Sequence, residues 1–157
     1  MTRLSATMPV HDVMTWAPIV VTPTTTIGEL MALFDRHQFN AFPVTDAQGV
    51  LEGIVTRLDV LRMYRPDQNL RIPDAKTLNS GRVADIMRRG VVSVEPEDPV
   101  VVAADLMVET RLRSLPVVQR KSGSRVLVGM VSQGDLLRGL RFELVEAGRS
   151  LGKGEQR

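Results

Sequence analysis

Cysteine is absent from the 157 residues. That rules out disulfides, thiolate catalysis and cysteine-ligated zinc, and it fits a reducing compartment. Aromatic residues make up only 4% of the chain. The core must therefore be aliphatic and methionine-rich, with Met31, Met63, Met107 and Met130 on apolar faces, and platforms for stacking single-stranded bases are few. The histidines, His11 and His37, are far apart and lack ligand spacing, which argues against a metal or general-base site. No apolar run reaches the roughly 18 residues of a membrane span. Met1 to Val10 lacks the apolar stretch of a signal peptide, so the chain is expected to be soluble and cytoplasmic. There is no Ser-His-Asp arrangement, P-loop or GxGxxG, and an enzyme is not expected. Charge of one sign is also scarce, at a net +2. Its one local excess, Arg62 to Arg89, holds seven Arg or Lys against three Asp. A solvated basic face accounts for it better than attraction of phosphate or nucleic acid, and Arg88-Arg89 and the tail basics likewise read as solvated, with contact to an acidic partner as the lesser reading.

What the chain does have is hydrophobic content in the globular range, 43%, arranged as a repeat. Gly53 to Leu61 reads GIVTRLDVL and Gly129 to Leu137 reads GMVSQGDLL. Upstream, Asp12-Val13-Met14 answers Asp85-Ile86-Met87, Pro23 answers Pro96, Leu33 answers Leu106, and Pro43-Val44 answers Pro116-Val117. The spacing is constant to the Pro-Val pair and then gains three residues in the second copy, around Lys121 to Ser124. Insertions collect in surface loops, so a longer hairpin tip is expected there.

Each copy reads as strand, helix, strand, strand, helix. Ile19-Val20-Val21 is a β-branched run before Pro23 and reads as a strand. Ile27, Leu30, Met31 and Phe34 have one-face helical spacing, with Thr25 as candidate cap. Asp98-Pro99 would start the matching helix, with Val100, Ala103, Ala104 and Met107 inward. Ala41–Thr45 and Val50–Thr56 read as strands around an Asp-Ala-Gln-Gly turn, and Ser114–Val118 and Val126–Ser132 repeat them. Leu58–Tyr64 and Asp135–Leu144 are the closing helices. The expected domain organisation is an arm over 1–8, a first repeat over 9–65, a linker over 66–80, a second repeat over 81–142 and a tail over 143–157. Trp16, before the first strand, reads as a hydrophobic plug, with stacking on a purine as the lesser reading.

The polar pairs Thr56/Asp59 and Ser132/Asp135 sit where a strand gives way to a helix, three residues apart and so on one face of the first turn. Two readings stay open. In one, the hydroxyl is an N-cap and the carboxylate completes a capping box. In the other, the carboxylate accepts from two vicinal ribose hydroxyls while the hydroxyl and helix amides hold a phosphate or ribose oxygen. Gly53 and Gly129 allow close backbone approach.

With the Asp-x-Met openings, the Pro-Val strands and the two G-h-h-[ST]-x-x-D stretches in the same order twice, the chain resembles a tandem pair of cystathionine-β-synthase (CBS) domains, a Bateman module, over roughly Pro9 to Leu140. The resemblance implies an α+β fold of two βαββα repeats packed sheet to sheet with pseudo-twofold symmetry. It implies a regulatory module that senses an adenosine-type ligand (AMP, ADP, ATP or S-adenosylmethionine) in the cleft between repeats and signals to a partner protein, with no required cofactor and no membrane. Carried over by motif, Asp59 and Asp135 would hold ribose, and Thr56 and Ser132 would hold phosphate or ribose. Backbone groups of Val20, Val21, Ser93 and Val94 would read the adenine edge. Asn40 and Arg113 occupy a position that is often basic and phosphate-binding in the family. Arg57 follows Thr56, but its counterpart is Gln133, so the two sites should differ. The alternative is an interaction module with degenerate or empty sites. The family habit of pairing through helices implies a homodimer using the apolar faces of Leu58–Tyr64 and Leu136–Leu144.

Overall fold

Thr26, not Thr25, starts the first helix. In the computed structural model, which describes residues 8–152, the Glu29 N–H donates to Thr26 Oγ1 at 3.1 Å and the Thr26 N–H donates to Glu29 Oε2 at 2.8 Å. This reciprocal box satisfies two amides that the helix leaves unpaired. Thr25 instead accepts from the Thr22 N–H at 3.1 Å, closing the turn around Pro23. The expected arm lies outside the described residues except for Met8, as do residues 153–157 of the expected tail.

The chain forms two compact units. One consists of residues 19–92 with 120–127. It contains α1 (Ile27–Arg36), β2 (Ala41–Thr45), β3 (Leu51–Thr56), α2 (Arg57–Arg62), α3 (Ala75–Ser80) and α4 (Val83–Ile86). The other consists of residues 8–18, 93–119 and 128–152. It contains β1 (Thr15–Trp16), α5 (Val100–Thr110), most of β4 (Ser114–Lys121) and β5 (Ser124–Ser132), and α6 (Gln133–Gly152). The fold class is α+β, as expected.

In the Asp59 unit, β2 and β3 pair antiparallel, with Phe42 opposite Val55 and Val44 opposite Gly53. Asp46 Oδ1 accepts from the Gln48 and Val50 N–H groups, both at 2.9 Å, and Gly49 supplies the positive φ that closes the turn. Ile27, Leu30 and Phe34 of α1 pack on Val21, Phe42, Val44, Val55, Val60, Val83 and Met87. The expected linker contains α3: Asp74 Oδ1 accepts from the Thr77 N–H at 2.8 Å, and Leu78 is buried. Residues 120–127 pack here too, the Leu127 N–H donating to Gly49 O at 2.9 Å.

In the Asp135 unit, β1 pairs antiparallel with β5, Thr15 opposite Met130 and Trp16 opposite Gly129. Trp16 is therefore no plug: it is 56% exposed on this strand. Val10 and Met14 enter a core of Val94, Val100, Ala103, Met107, Leu115, Val117, Val131 and Leu136. Pro99 is the residue before α5, and Asp98 does not cap it; its carboxylate accepts from the Glu95 N–H at 2.8 Å instead.

Three further expectations differ from the structure. Ile19–Val21 and its counterpart are not strands. Each makes one parallel bridge, Val21 to Val44 and Val94 to Val117, and Ile19 and Val20 remain exposed. The three extra residues of the second hairpin lengthen its strands rather than its tip. β4 and β5 are joined by Ser122-Gly123, both at positive φ, as a tight primed turn demands. The last helix does not stop near Leu144 but runs to Gly152, past Gly148, a residue that costs a helix only about 1 kcal/mol.

Candidate functional site

β3 ends at Thr56 in extended backbone, and α2 begins at the next residue. The Asp59 N–H donates to Thr56 Oγ1 at 3.2 Å, while Asp59 Oδ2 accepts from the Thr56 N–H at 2.9 Å and from its hydroxyl at 2.8 Å. The same set recurs at Ser132 and Asp135, at 3.2, 2.8 and 2.8 Å in the same order. The hydroxyl-x-x-carboxylate motif is thus a capping box in both repeats, which fixes one carboxylate oxygen and leaves Oδ1 aimed elsewhere.

What Oδ1 meets separates the corners. Asp59 Oδ1 accepts from Arg62 and from Arg88 Nε, both at 3.1 Å, and the side chain is only 2% exposed. Among the described residues Asp135 Oδ1 pairs with Arg138 alone, a side chain that is 72% exposed. Arg138 corresponds to Arg62. Arg88 corresponds to Thr15, which has no charge to offer. Asp135 also borders a hollow of about 320 Å³ lined by Met8, Asp12, Val13, Arg138, Gly139 and Phe142.

The glycines that open the two motifs have a clear steric cause. A Cβ on Gly53 would lie 2.6 Å from Arg88 O, and one on Gly129 would lie 2.8 Å from Thr15 O. Each glycine lets a crossing strand close on the hairpin: Ile54 and Arg88 exchange backbone hydrogen bonds at 3.0 and 2.9 Å, and Ala17 donates to Val128 O at 3.1 Å.

The remaining candidates are placed as follows. Val21 donates to Pro43 O at 3.1 Å and accepts from Thr45 at 3.0 Å, and Val94 likewise donates to Pro116 O and accepts from Val118 at 3.1 and 2.9 Å. Both backbones are thereby engaged in the bridges. Val20 is exposed and Ser93 half-buried beside them. Arg57 is not at the Asp59 carboxylate. Its guanidinium donates to Phe34 O at 2.7 Å, Phe39 O at 3.0 Å and His37 O at 3.2 Å, closing the end of α1, and it stacks over the Phe34 ring. Gln133 has the matching task, donating to Leu112 O at 3.2 Å. Asn40 and Arg113 are exposed, and their carbonyls accept from the Arg57 and Gln133 N–H groups at 3.3 and 2.9 Å. Among the described residues no His, Asp or Glu cluster could hold a metal ion, and no helix is long and apolar enough to cross a membrane. Arg62 and Arg138 have no role in the sequence reading, and Arg88, read there as solvated, bridges to Asp59 instead. The i, i+3 spacing from each aspartate could have found the first two. Nothing local marks Arg88, which comes from the opening of the second repeat.

Comparison with known proteins agrees with this duplicated design. The CBS domain model matches residues 10–65 and again 83–141. CBS domain-containing protein YhcV of Bacillus subtilis is 34% identical over 128 residues, covering 81% of each chain. Among solved structures, CBSX2 in complex with AMP superposes with a TM-score of 0.69 at 28% identity, covering 84% of this chain and 95% of the other. The CBS domain pair of protein MJ0100, in complex with 5′-methylthioadenosine and S-adenosyl-L-methionine, superposes with a TM-score of 0.66 at 26% identity, covering 83% and 98%.

Proposed function

Because this chain belongs to the CBS-domain family, we propose that it is a cytoplasmic regulatory module that binds an adenosine-type ligand (AMP, ADP, ATP or S-adenosylmethionine) and passes the bound state to a partner protein, working as a homodimer. The supporting observation is the Ser132/Asp135 corner. One carboxylate oxygen is fixed by the capping box, the other is held only by an exposed arginine, and a hollow lies beside it. An exposed ion pair contributes little, so Arg138 can yield Oδ1 to a ribose hydroxyl at small cost. Met8, Val13 and Phe142 give the hollow an apolar wall suited to a purine. The complexes of AMP, methylthioadenosine and S-adenosylmethionine with similar domain pairs support the ligand class.

The two corners are not equivalent in this reading. Asp59 is held by two arginines, which a ribose would have to displace, so the Asp135 corner is the one this reading assigns to the ligand. Calorimetric titration with AMP, ATP and S-adenosylmethionine tests this. Saturable binding is expected for at least one of them, and Asp135→Ala should weaken it roughly 10- to 100-fold, the loss of one or two charge-assisted hydrogen bonds. Absence of binding by the wild type at millimolar concentrations, or wild-type affinity in Asp135→Ala, would sink the reading.

One observation favours a second reading, an interaction module with closed sites: Asp59 Oδ1 already has two arginine partners. A thermal-shift screen separates the two, since any ligand of the native state must raise its stability.

A further inference from the structure

We propose that Arg88 keeps the Asp59 corner closed, so that the chain takes one adenosine-type ligand and not two. The two corners are a built-in comparison. Both have the capping box, and both have an arginine three residues after the aspartate, Arg62 or Arg138. Neither feature can make the corners differ. What differs is the residue on the crossing segment. Arg88 pairs antiparallel with Ile54, the residue after Gly53, and Thr15 pairs antiparallel with Met130, the residue after Gly129. The two residues thus hold the same register position in their own units.

Arg88 reaches Asp59 from a fixed backbone. Its N–H donates to Ile54 O at 2.9 Å, and its carbonyl accepts from the Ile54 N–H at 3.0 Å. Gly53 makes this approach possible, since a Cβ there would lie 2.6 Å from Arg88 O. From that anchor Arg88 Nε donates to Asp59 Oδ1 at 3.1 Å. The Asp59 side chain is 2% exposed, against 13% for Asp135, whose crossing segment offers Thr15 instead. A ribose hydroxyl is a neutral donor. At Asp59 it would have to replace a guanidinium bond charged on both sides, a kind roughly twice as strong as a neutral one. At Asp135 it competes with the exposed Arg138 pair, which is worth little. Arg88 is itself 41% exposed, so removing its side chain would open the Asp59 carboxylate toward solvent rather than leave a sealed cavity.

This inference rests on the ligand reading above and names the residue that makes the two corners unequal. The test exchanges the two register-matched residues in the full chain and counts sites by calorimetry with AMP and with S-adenosylmethionine. The wild type should bind one ligand per chain. Arg88→Thr should bind two, and adding Asp59→Ala to it should return the count to one. The reciprocal variant, Thr15→Arg, brings a guanidinium to the Asp135 corner and should weaken binding there about tenfold. Circular dichroism checks the fold. If Arg88→Thr does not fold, Thr15→Arg carries the test, because Thr15 is exposed and a longer side chain has room there. A wild type that binds neither compound overturns the ligand reading along with this inference. One site in both the wild type and a folded Arg88→Thr overturns the role of Arg88 alone. So does wild-type affinity in Thr15→Arg. Two sites in the wild type, with one of them lost in Arg88→Thr, would make Arg88 a ligand contact and overturn the closed corner.

Discussion

At the scale of single residues, Arg57 and Gln133 show how matching positions differ for a structural cause. Both donate to carbonyls at or just beyond the end of a helix: Arg57 to three, of Phe34, His37 and Phe39 around the end of α1, and Gln133 to one, of Leu112 after α5. The helix ends differ accordingly. α5 closes on Arg111 in left-handed backbone at φ 57°, a conformation that turns the chain sharply, while α1 runs out through His37 in extended backbone. The first end needs less outside help than the second. Arg57→Ala should therefore cost about 1–2 kcal/mol of stability, from the lost carbonyl bonds and the lost packing on Phe34, and leave nucleotide affinity unchanged. Chemical denaturation beside calorimetry on that variant checks both halves, and an affinity loss at unchanged stability would return Arg57 to the binding role that its place after Thr56 invites. The same comparison shows what could be read beforehand. Thr56, Asp59, Ser132 and Asp135 were found because hydroxyl and carboxylate are close in sequence. The partners of Arg57 were not, because they lie 18 to 23 residues upstream.

At the scale of elements, the helices and strands found correctly carry local marks. The one-face spacing of Ile27, Leu30 and Phe34 marks α1, and the Asp-Ala-Gln-Gly turn marks the hairpin of β2 and β3, whose strands are buried on both faces rather than in alternation. Ile19–Val21 was read as a strand from its β-branched run, yet with one bridge and two exposed side chains it lacks the pairing that makes a strand. α3 was missed because the two prolines, two asparagines and scattered charge of residues 66–80 suggested a linker, although Asp74 three residues before Thr77, with Leu78 next, is a cap and a buried contact. The caps of α1 and α3 also set an acid limit. Glu29 is held below its usual value of 4.5, chiefly by the Thr26 backbone N–H, and Asp74 below 3.8, chiefly by the Thr77 backbone N–H. A carboxylate whose folded value is depressed adds stability above its unfolded value, and that stability is lost as pH falls through the lowered folded one. Melting temperature should therefore fall as pH drops from about 5 toward 3. Glu29→Gln should take away part of that fall by lowering the melting temperature mainly at neutral pH. An equal loss at both ends of the range would show that the charge of Glu29 is not what the cap uses.

At the scale of the whole molecule, the repeat and the packing unit divide the chain differently. The Asp-x-Met opening of each repeat packs in the unit built mainly from the other. Val83 and Met87 lie in the core with Phe42 and Val55, while Val10 and Met14 lie in the core with Val117 and Val131. Alignment of the repeats cannot reveal this, because an exchanged segment keeps its place in the sequence and its apolar pattern. The clue was present at Gly53 and Gly129, whose missing side chains make room for backbone from elsewhere in the chain. Arg88, which bridges to Asp59, arrives by the same exchange. Two fragments of equal length distinguish the divisions. Residues 9–82 follow the repeat boundary, keeping the Val10 and Met14 segment and omitting Val83, Met87 and Arg88. Residues 19–92 follow the packing unit. A chain this short buries little apolar surface, so two missing core side chains weigh heavily, at about 2–5 kcal/mol each for a methionine-sized loss. In circular dichroism melts the 19–92 fragment should show the sharper and higher transition, and the 9–82 fragment a broad one or none. If 9–82 melted as cooperatively as 19–92, the exchanged segments would be an attachment rather than part of the core.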